Sequence, residues 1–267
     1  MPATQIINDI LDKDFSDTEK QLSSSLITNE NIIYHSVQGK TKELVEAYAK
    51  TDQLSHRYLA YRDLPLLIKE YVKGTDALDY GTGTGISANF LHKLGLNVIG
   101  TDINLCMLEK ARESSSQIDF FELKKLIPQN QFDLIFSSFV LFDMKSKEEI
   151  IDYLNKAIPF MKQDGILIGI TGSEELYSTS RNWTAFNSNF DQNRNLKSGD
   201  ITKLRLKHPS IEFCDYFWKE SDYIECFQNV KLNLLKIHKP IGSENDPYNW
   251  EDEKLVSPFT VYILKKQ

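Results

Sequence analysis

The sequence predicts an α/β fold: a doubly wound sheet of seven strands, the last antiparallel, with helices ahead of the first strand and a small α+β cap inserted after the fifth. Three observations predict it. Short apolar runs such as Asp133-Leu-Ile-Phe-Ser-Ser and Gly165-Ile-Leu-Ile-Gly-Ile are bounded by turn residues, as in strands covered on both faces. Between such runs lie stretches whose apolar residues recur three and four apart, the period of a helix. The segment from Ala77 to Asp102 then reads strand, glycine loop, helix, strand, acid, with Asp102 lying 17 residues beyond Gly85. A loop of this kind brings backbone close to a ligand, and an acid at that spacing can take the two hydroxyls of a ribose. This is a nucleoside-binding βαβ unit.

Residues 1 to about 40 are polar, with Ile6, Ile7, Ile10 and Leu11 at helical spacing and Ile32, Ile33, Tyr34 and His35 further on. They read either as a leader with a short helix or as a lid that brings Tyr34 and His35 over a site. Leu44, Val45 and Tyr48 give a helical pattern over 41–48, and Tyr58, Tyr61 and Arg62 a second one. Asp63 and Pro65 mark a further helix start, because proline lacks only an amide that the first turn leaves unpaired. Leu66, Leu67, Tyr71 and Val72 form its apolar face, and Gly74 ends it.

The core then alternates. A strand is predicted near 76–80, a helix from Gly85 to Leu94 closed by Gly95, a strand over 97–101 and a helix over 104–113. Ile118 to Glu122 and Phe132 to Ser138 read as strands, Lys147 to Met161 as a helix, and Gly165 to Thr171 as the fifth strand. After Thr171 the pattern breaks. Gly172 to Phe190 is aromatic and polar, 191–200 is a polar loop, and Ile201 to Leu206 with Ile211 to Trp218 forms a hairpin across Lys207-His-Pro-Ser. Residues 172–220 are therefore read as the cap, within one domain over 41–267. A helix at Ser221 to Gln228 and strands at Val230 to Ile237 and Phe259 to Leu264 close the sheet.

Composition bounds the partners. The 267 residues carry 41% hydrophobic and 26% charged side chains, ample for a packed domain, and a net charge of −7 that gives no attraction to nucleic acid. Cys106, Cys214 and Cys226 show neither a disulfide framework nor metal-ligand spacing, and no metal site is expected. Asp9, Asp12 and Asp14 stand where a signal peptide needs a basic and then an apolar run, and no apolar stretch approaches a bilayer span. A cytoplasmic protein without a membrane segment, monomeric or homodimeric, is expected.

On these residues the chain resembles the class I S-adenosylmethionine (SAM) dependent methyltransferases of the small-molecule, type 11/25-like kind. The matching motifs are Leu78-Asp-Tyr-Gly-Thr-Gly-Thr-Gly, Gly100-Thr-Asp-Ile, Met107-Leu-Glu-Lys-Ala-Arg, Phe132-Asp-Leu-Ile-Phe-Ser and Lys162-Gln-Asp-Gly-Ile-Leu. They span about Leu64 to Ile170 plus the closing strands. The resemblance implies a Rossmann-like fold, SAM as cofactor with S-adenosylhomocysteine as product, and a small-molecule acceptor methylated at N or O. It assigns Asp79, Gly81, Thr82, Gly83 and Gly85 to the methionine part and Asp102 to the ribose. It sets Ile103, Met107, Glu122 and Leu123 around the adenine, and Ser137 and Ser138 facing the methionine and the methyl. The physics of the loop agrees. A pyrophosphate binder uses Gly-x-Gly-x-x-Gly, whereas Asp79 beside Gly81, Gly83 and Gly85 repels phosphate and suits a sulfonium ligand.

Methyl transfer asks the enzyme to orient a nucleophile, exclude water and, for a protonated acceptor, remove a proton. Many relatives carry a histidine near Phe142; this chain does not. Asp143 is read as a helix cap or a base, and His238, His35 and His56 as bases or ordinary surface or core histidines. Tyr34, Tyr177, Trp183, Tyr216 and Trp218 form either a substrate pocket or the core of the cap, with Phe186 beside them. The acidic run 244–253 is either a solvated loop or an attractor for a basic substrate. Competing readings are a SAM-binding regulator without catalysis, a protein or RNA methyltransferase, and an NAD-dependent oxidoreductase.

Overall fold

A computed structural model describes the chain at residues 33–35, 45–46, 49–50, 55–129, 131–208 and 210–267. Apart from the strand at 33–35, the leader predicted over 1–40 lies outside the described residues, as does most of the helical pattern at 41–48. Strand β1 is Ile33–His35, followed by helices α1, Ser55–Tyr61, and α2, Leu64–Tyr71, which starts beside Pro65 as the sequence predicts. Then come β2, Asp76–Tyr80; α3, Ile86–Lys93; β3, Asn97–Asp102; α4, Leu105–Ser114; β4, Asp119–Glu122; and β5, Phe132–Ser138. Helix α5 is Lys147–Ala157 and β6 is Met161–Gly172. The predicted helix to Met161 stops four residues early because Pro159 has no amide to continue the ladder; Ile158–Phe160 tightens into a 3-10 turn. Short strands β7, Phe186–Asn187, β8, Leu204–Leu206, and β9, Ile211–Phe213, precede α6, Glu220–Asn229. Strands β10, Leu232–His238, and β11, Phe259–Lys266, close the chain.

Seven strands form one sheet in the order β10-β11-β6-β5-β2-β3-β4. Strand β2 pairs in parallel with both β3 and β5, β3 with β4 and β5 with β6, while β10 and β11 are antiparallel. From β2 the chain winds outward through β3 and β4, then returns to the other side of β2 as β5. That reversal leaves a crevice at the carboxyl ends of β2 and β5, where open α/β sheets bind ligands. The register sets Asp79 beside Gly100 and Phe136, Gly100 beside Phe120, and Asp102 beside Glu122. Leu78, Leu134, Ile135, Phe136 and Ile168 are wholly enclosed, the burial expected of strands covered on both faces. Each such side chain contributes roughly 1.5–3 kcal/mol of burial. A Cβ on Gly100 would stand 2.4 Å from Cδ1 of Phe120, so the aromatic ring occupies the space a side chain would need.

Two compact units are built from these elements. One comprises the described residues up to Pro65 with Gly172–Lys219 and Lys239–Thr260; the other comprises Leu66–Thr171, Glu220–His238 and Val261–Gln267. The first carries a four-stranded sheet in the order β1-β9-β8-β7, in which β8 and β9 form the predicted antiparallel hairpin and β1 joins in parallel. The hairpin strands are shorter than predicted, with one isolated bridge from Ile201 to Tyr216 beyond them.

Within this unit the acidic run is largely structural. Asp246 accepts from Arg62 Nη1 at 2.7 Å, Trp250 Nε1 at 2.8 Å and the Ser243 amide at 2.7 Å, with no side-chain exposure. Tyr58 donates its hydroxyl to the same carboxylate at 3.3 Å. Glu253, also enclosed, accepts the Thr184 amide at 2.7 Å, and burial raises its carboxyl above the usual range. Glu244 remains exposed. The cap aromatics resolve toward core packing. Trp183 is fully enclosed and donates Nε1 to the Leu176 carbonyl at 3.0 Å, Tyr177 donates to Asp215 at 3.1 Å, and Trp218 is buried. As substrate-pocket residues these three are corrected: their rings are spent inside the unit. Tyr216 is half-buried. Among the described residues no helix is long and apolar enough to cross a membrane.

Candidate active site at the glycine loop

The loop between β2 and α3 is shaped by its three glycines. Gly81, Gly83 and Gly85 all take positive φ, at 88°, 55° and 85°, a region that costs other residues about 1 kcal/mol or more. The amides of Gly81 and Thr82 both donate to the Thr101 carbonyl at 2.9 Å, which folds the loop over the end of β3. A Cβ on Gly81 would meet Val140 Cγ2 at 2.6 Å, whereas a Cβ on Gly83 would meet nothing within 4 Å. The base of the loop is packed and its middle is open.

Asp79 lies beneath it with no exposed surface. Its Oδ2 accepts from the hydroxyls of Thr82 at 2.5 Å and Ser87 at 2.7 Å, while Oδ1 has no hydrogen-bond partner. Burial pushes this carboxyl up to about 6; the two hydroxyls and the Ala88 backbone amide oppose the shift and the nearby Asp102 charge adds to it. An enclosed acceptor left unmatched costs on the order of 1–3 kcal/mol until something donates to it.

Asp102 ends β3 on the other side of the loop. Its Oδ2 accepts the Gly83 amide at 2.9 Å and its Oδ1 the Asn104 amide at 2.8 Å. Asn104 in turn caps α4, accepting from the amides of Cys106 at 3.0 Å and Met107 at 3.2 Å. Ile103, between them, is 84% exposed, an isoleucine held out in water beside an acid. Leu123 is half-buried after β4, and Glu122, level with Asp102, is held by Lys124 at 2.6 Å and Lys125 at 2.9 Å. Those ammonium groups keep its carboxyl below the usual range. Met107, on the first turn of α4, is fully enclosed.

Ser137 and Ser138 end β5, both buried. The expectation that both face the methionine is corrected by strand geometry, since successive side chains point to opposite faces of a sheet. Ser137 takes the face of α5, where its hydroxyl lies 2.7 Å from the hydroxyl of Tyr153, which donates to the Tyr80 carbonyl at 2.8 Å. Sequence reasoning missed Tyr153, because a tyrosine inside an amphipathic helix carries no motif. Beyond Ser138 the chain turns at Phe139, a non-glycine residue at φ 60°, whose ring stacks on Phe142 with centroids 6.1 Å apart. Asp143 closes the turn that follows, its amide donating to the Val140 carbonyl.

None of the histidine candidates lies on the strands and loop that form this crevice. His238 ends β10 at the outer edge, three strands from β5, or roughly 14 Å at the ordinary strand spacing. As a base it is corrected on that ground. His56 is enclosed in the first unit, where burial and then Arg57 lower its pKa well below the usual value. The backbone of Tyr34 and His35 forms part of β1, but their side chains lie outside the described residues.

Residues 77–165 match a protein family described as "Methyltransferase domain". Over 199 residues the chain is 28% identical to malonyl-[acyl-carrier protein] O-methyltransferase 2 of Ilyobacter polytropus, covering 72% of this chain and 74% of that protein. Residues 77–165 thus resemble a methyltransferase domain. Solved structures share its fold. A SAM-dependent methyltransferase from Mesorhizobium loti superposes with a TM-score of 0.56 at 16% identity, over 78% of this chain and 98% of the other. One from Clostridium acetobutylicum gives 0.55 at 15% identity, over 84% and 98%.

Both of these structures are of proteins named as SAM-dependent, and three features of the present site fit that ligand. The unmatched Oδ1 of Asp79 suits a ligand with positive charge, the open side of Gly83 admits close backbone approach, and Ile103 offers apolar surface beside Asp102.

Proposed function

We propose that this methyltransferase transfers the methyl group of SAM to an oxygen or nitrogen of a small-molecule acceptor by in-line displacement. The observation that carries the reading is the buried Asp79 carboxylate, half unmatched under a glycine loop that is itself tied to Asp102. Asp79 and the loop Gly81, Thr82, Gly83 and Gly85 would hold the methionine part, Asp102 the ribose, and Ile103 one face of the adenine. When bound, SAM supplies a methyl carbon already activated by its sulfonium. What the chain adds is orientation and exclusion of water, and the enclosed strand ends of β2 and β5 suit that task.

Among acceptors, a carboxylate oxygen is the first to test. The Ilyobacter relative is named as an O-methyltransferase. A carboxylate is already ionised at neutral pH and needs no general base. The experiment is incubation with methyl-labelled SAM and either a metabolite extract or a panel of free and thioester-linked dicarboxylic acids. Base-labile labelled methyl esters are the expected product. Label in amines instead would move the acceptor to nitrogen, and cofactor binding without transfer to any extract component would favour the regulator reading.

A further inference from the structure

One face of the four-stranded sheet is basic, and strand alternation makes it so. In β8 the side chains of Leu204 and Leu206 point inward and are buried, while Arg205 points outward, with Lys203 and Lys207 flanking the strand at the same spacing of two. Opposite Arg205 in the register of β9 stands Glu212, 2% exposed. Its Oε1 accepts from Nε of Arg205 at 2.9 Å and from Nη2 of the same guanidinium, and its Oε2 pairs with Lys203 Nζ at 2.9 Å. Burial works to raise this carboxyl, but the two cations hold it below the usual range. Both cations also lie over the ring of Phe190, at 4.9 Å and 5.7 Å from its centre. Lys207 is fixed separately, donating to the Trp183 carbonyl at 2.6 Å.

An enclosed carboxylate is a costly way to finish a sheet face, since an apolar cluster of similar volume would serve stability as well or better. What Glu212 adds is fixed position. The side chains of Lys203, Arg205 and Lys207 are 30%, 32% and 37% exposed, so each keeps an open side while its charged end is held. They follow one another at about 6.6 Å along the strand, a row of three cations on a chain whose net charge is −7. Such a row does not clamp a single compact anion, because the point on which Lys203 and Arg205 converge is filled by Glu212. It suits carboxylates spaced along a polypeptide, which recur at about 5.4 Å on one helix face or about 6.6 Å on one strand face. Nucleic acid is disfavoured: the ring of Phe190 is taken up by the two cations instead of offering bases a stacking platform.

We propose that this row is an interaction surface for an acidic protein segment, whose carboxylates meet Lys203, Arg205 and Lys207 in turn while Glu212 holds the first two in place. The surface does not depend on the placement of SAM proposed above. Because the chain as a whole is acidic, a segment rich in Asp and Glu is repelled by most of it and attracted here, so the row orients the partner as well as binding it. Glu251, 3.9 Å from Lys207, is the acid that bounds the row at that end.

Binding of a short fluorescent poly-L-glutamate to the full chain at low salt tests it, with oligouridylate and inorganic phosphate as competing probes. The wild-type protein is expected to bind the polyglutamate, to release it as salt is raised, and to be little affected by phosphate at equal charge. Lys207→Gln and Lys203→Gln should each weaken binding roughly threefold, as for a partly exposed ion pair, with the melting temperature of Lys207→Gln unchanged. Lys197→Gln, which removes an exposed cation off this strand, should leave the affinity as it is. Equal weakening in Lys197→Gln would reduce the effect to net charge and overturn the surface, as would no binding at low salt. Tighter binding of oligouridylate would overturn the acidic protein partner in favour of nucleic acid, and self-association lost in Lys207→Gln would overturn it in favour of a second copy of this chain. Should Lys203→Gln not fold once Glu212 loses a cation, an unchanged affinity in Lys207→Gln overturns the proposal alone.

Discussion

Gly83 donates its amide to Oδ2 of Asp102 at 2.9 Å, so the glycine loop and the acid of the neighbouring strand form one bonded unit before any ligand enters. An Asp102→Ala change therefore removes the proposed ribose acceptor and releases the loop together. Charge-assisted hydrogen bonds of this kind are worth roughly 1.5–3 kcal/mol each. Titration of S-adenosylhomocysteine should show at least a tenfold loss of affinity, on the order of one such bond. An affinity within twofold of wild type would remove Asp102 from the site.

The carboxyl of Asp79, raised to about 6 by burial, makes both stability and binding depend on pH. Its folded value lies above its unfolded one, so the fold favours the protonated form. That contribution is complete below about pH 4 and lost as pH rises through 6, up to the order of 3 kcal/mol. The melting temperature of Asp79→Asn should thus gain on wild type between pH 4 and 8. A cationic cofactor favours the ionised form, so wild-type affinity for SAM should rise across pH 6, and Asp79→Asn should flatten that rise. A flat wild-type profile would contradict the assignment.

Ile103 separates binding from folding. At 84% exposure it contributes little to the core, and Ile103→Ser should change stability by no more than about 0.5 kcal/mol. Its proposed contact with the adenine should cost about 1 kcal/mol when removed, roughly fivefold in 5′-methylthioadenosine affinity. Parallel melting and calorimetry would show one effect without the other.

Trp183 should behave in the opposite way. Fully enclosed and bonded to the Leu176 carbonyl, it is expected to cost about 3–5 kcal/mol of stability when replaced by alanine. Denaturant unfolding measures this directly. A variant of wild-type stability with a raised KM for acceptor would restore Trp183 to the substrate pocket.

What was legible in the sequence is what local pattern dictates. The strand ends at Tyr80 and Ser138 follow from apolar runs stopped by glycine or polar residues, β3 runs one residue past its predicted end at 101, and the positive φ of Gly81, Gly83 and Gly85 follows from residue type. What was not legible depends on contacts across the chain. Asp246 looks like one more solvated acid, yet Arg62, 184 residues earlier, and Trp250 enclose it. Nothing in the spacing of Trp183 and Tyr177 distinguishes a pocket wall from a core, because both demand aromatic surface. Tyr153 was invisible for a further reason. Its bond to the Tyr80 carbonyl is made by one hydroxyl, and helical periodicity reports only the face on which a side chain sits.

The ring of Phe120 over Gly100 carries a consequence for descent. With only 2.4 Å available to a Cβ at position 100, the two positions cannot drift separately while the strands keep their register. Lineages that acquire alanine at 100 are expected to have shrunk the residue at 120 first, and a library randomised at both sites should recover folded members as matched pairs, large with glycine and small with alanine.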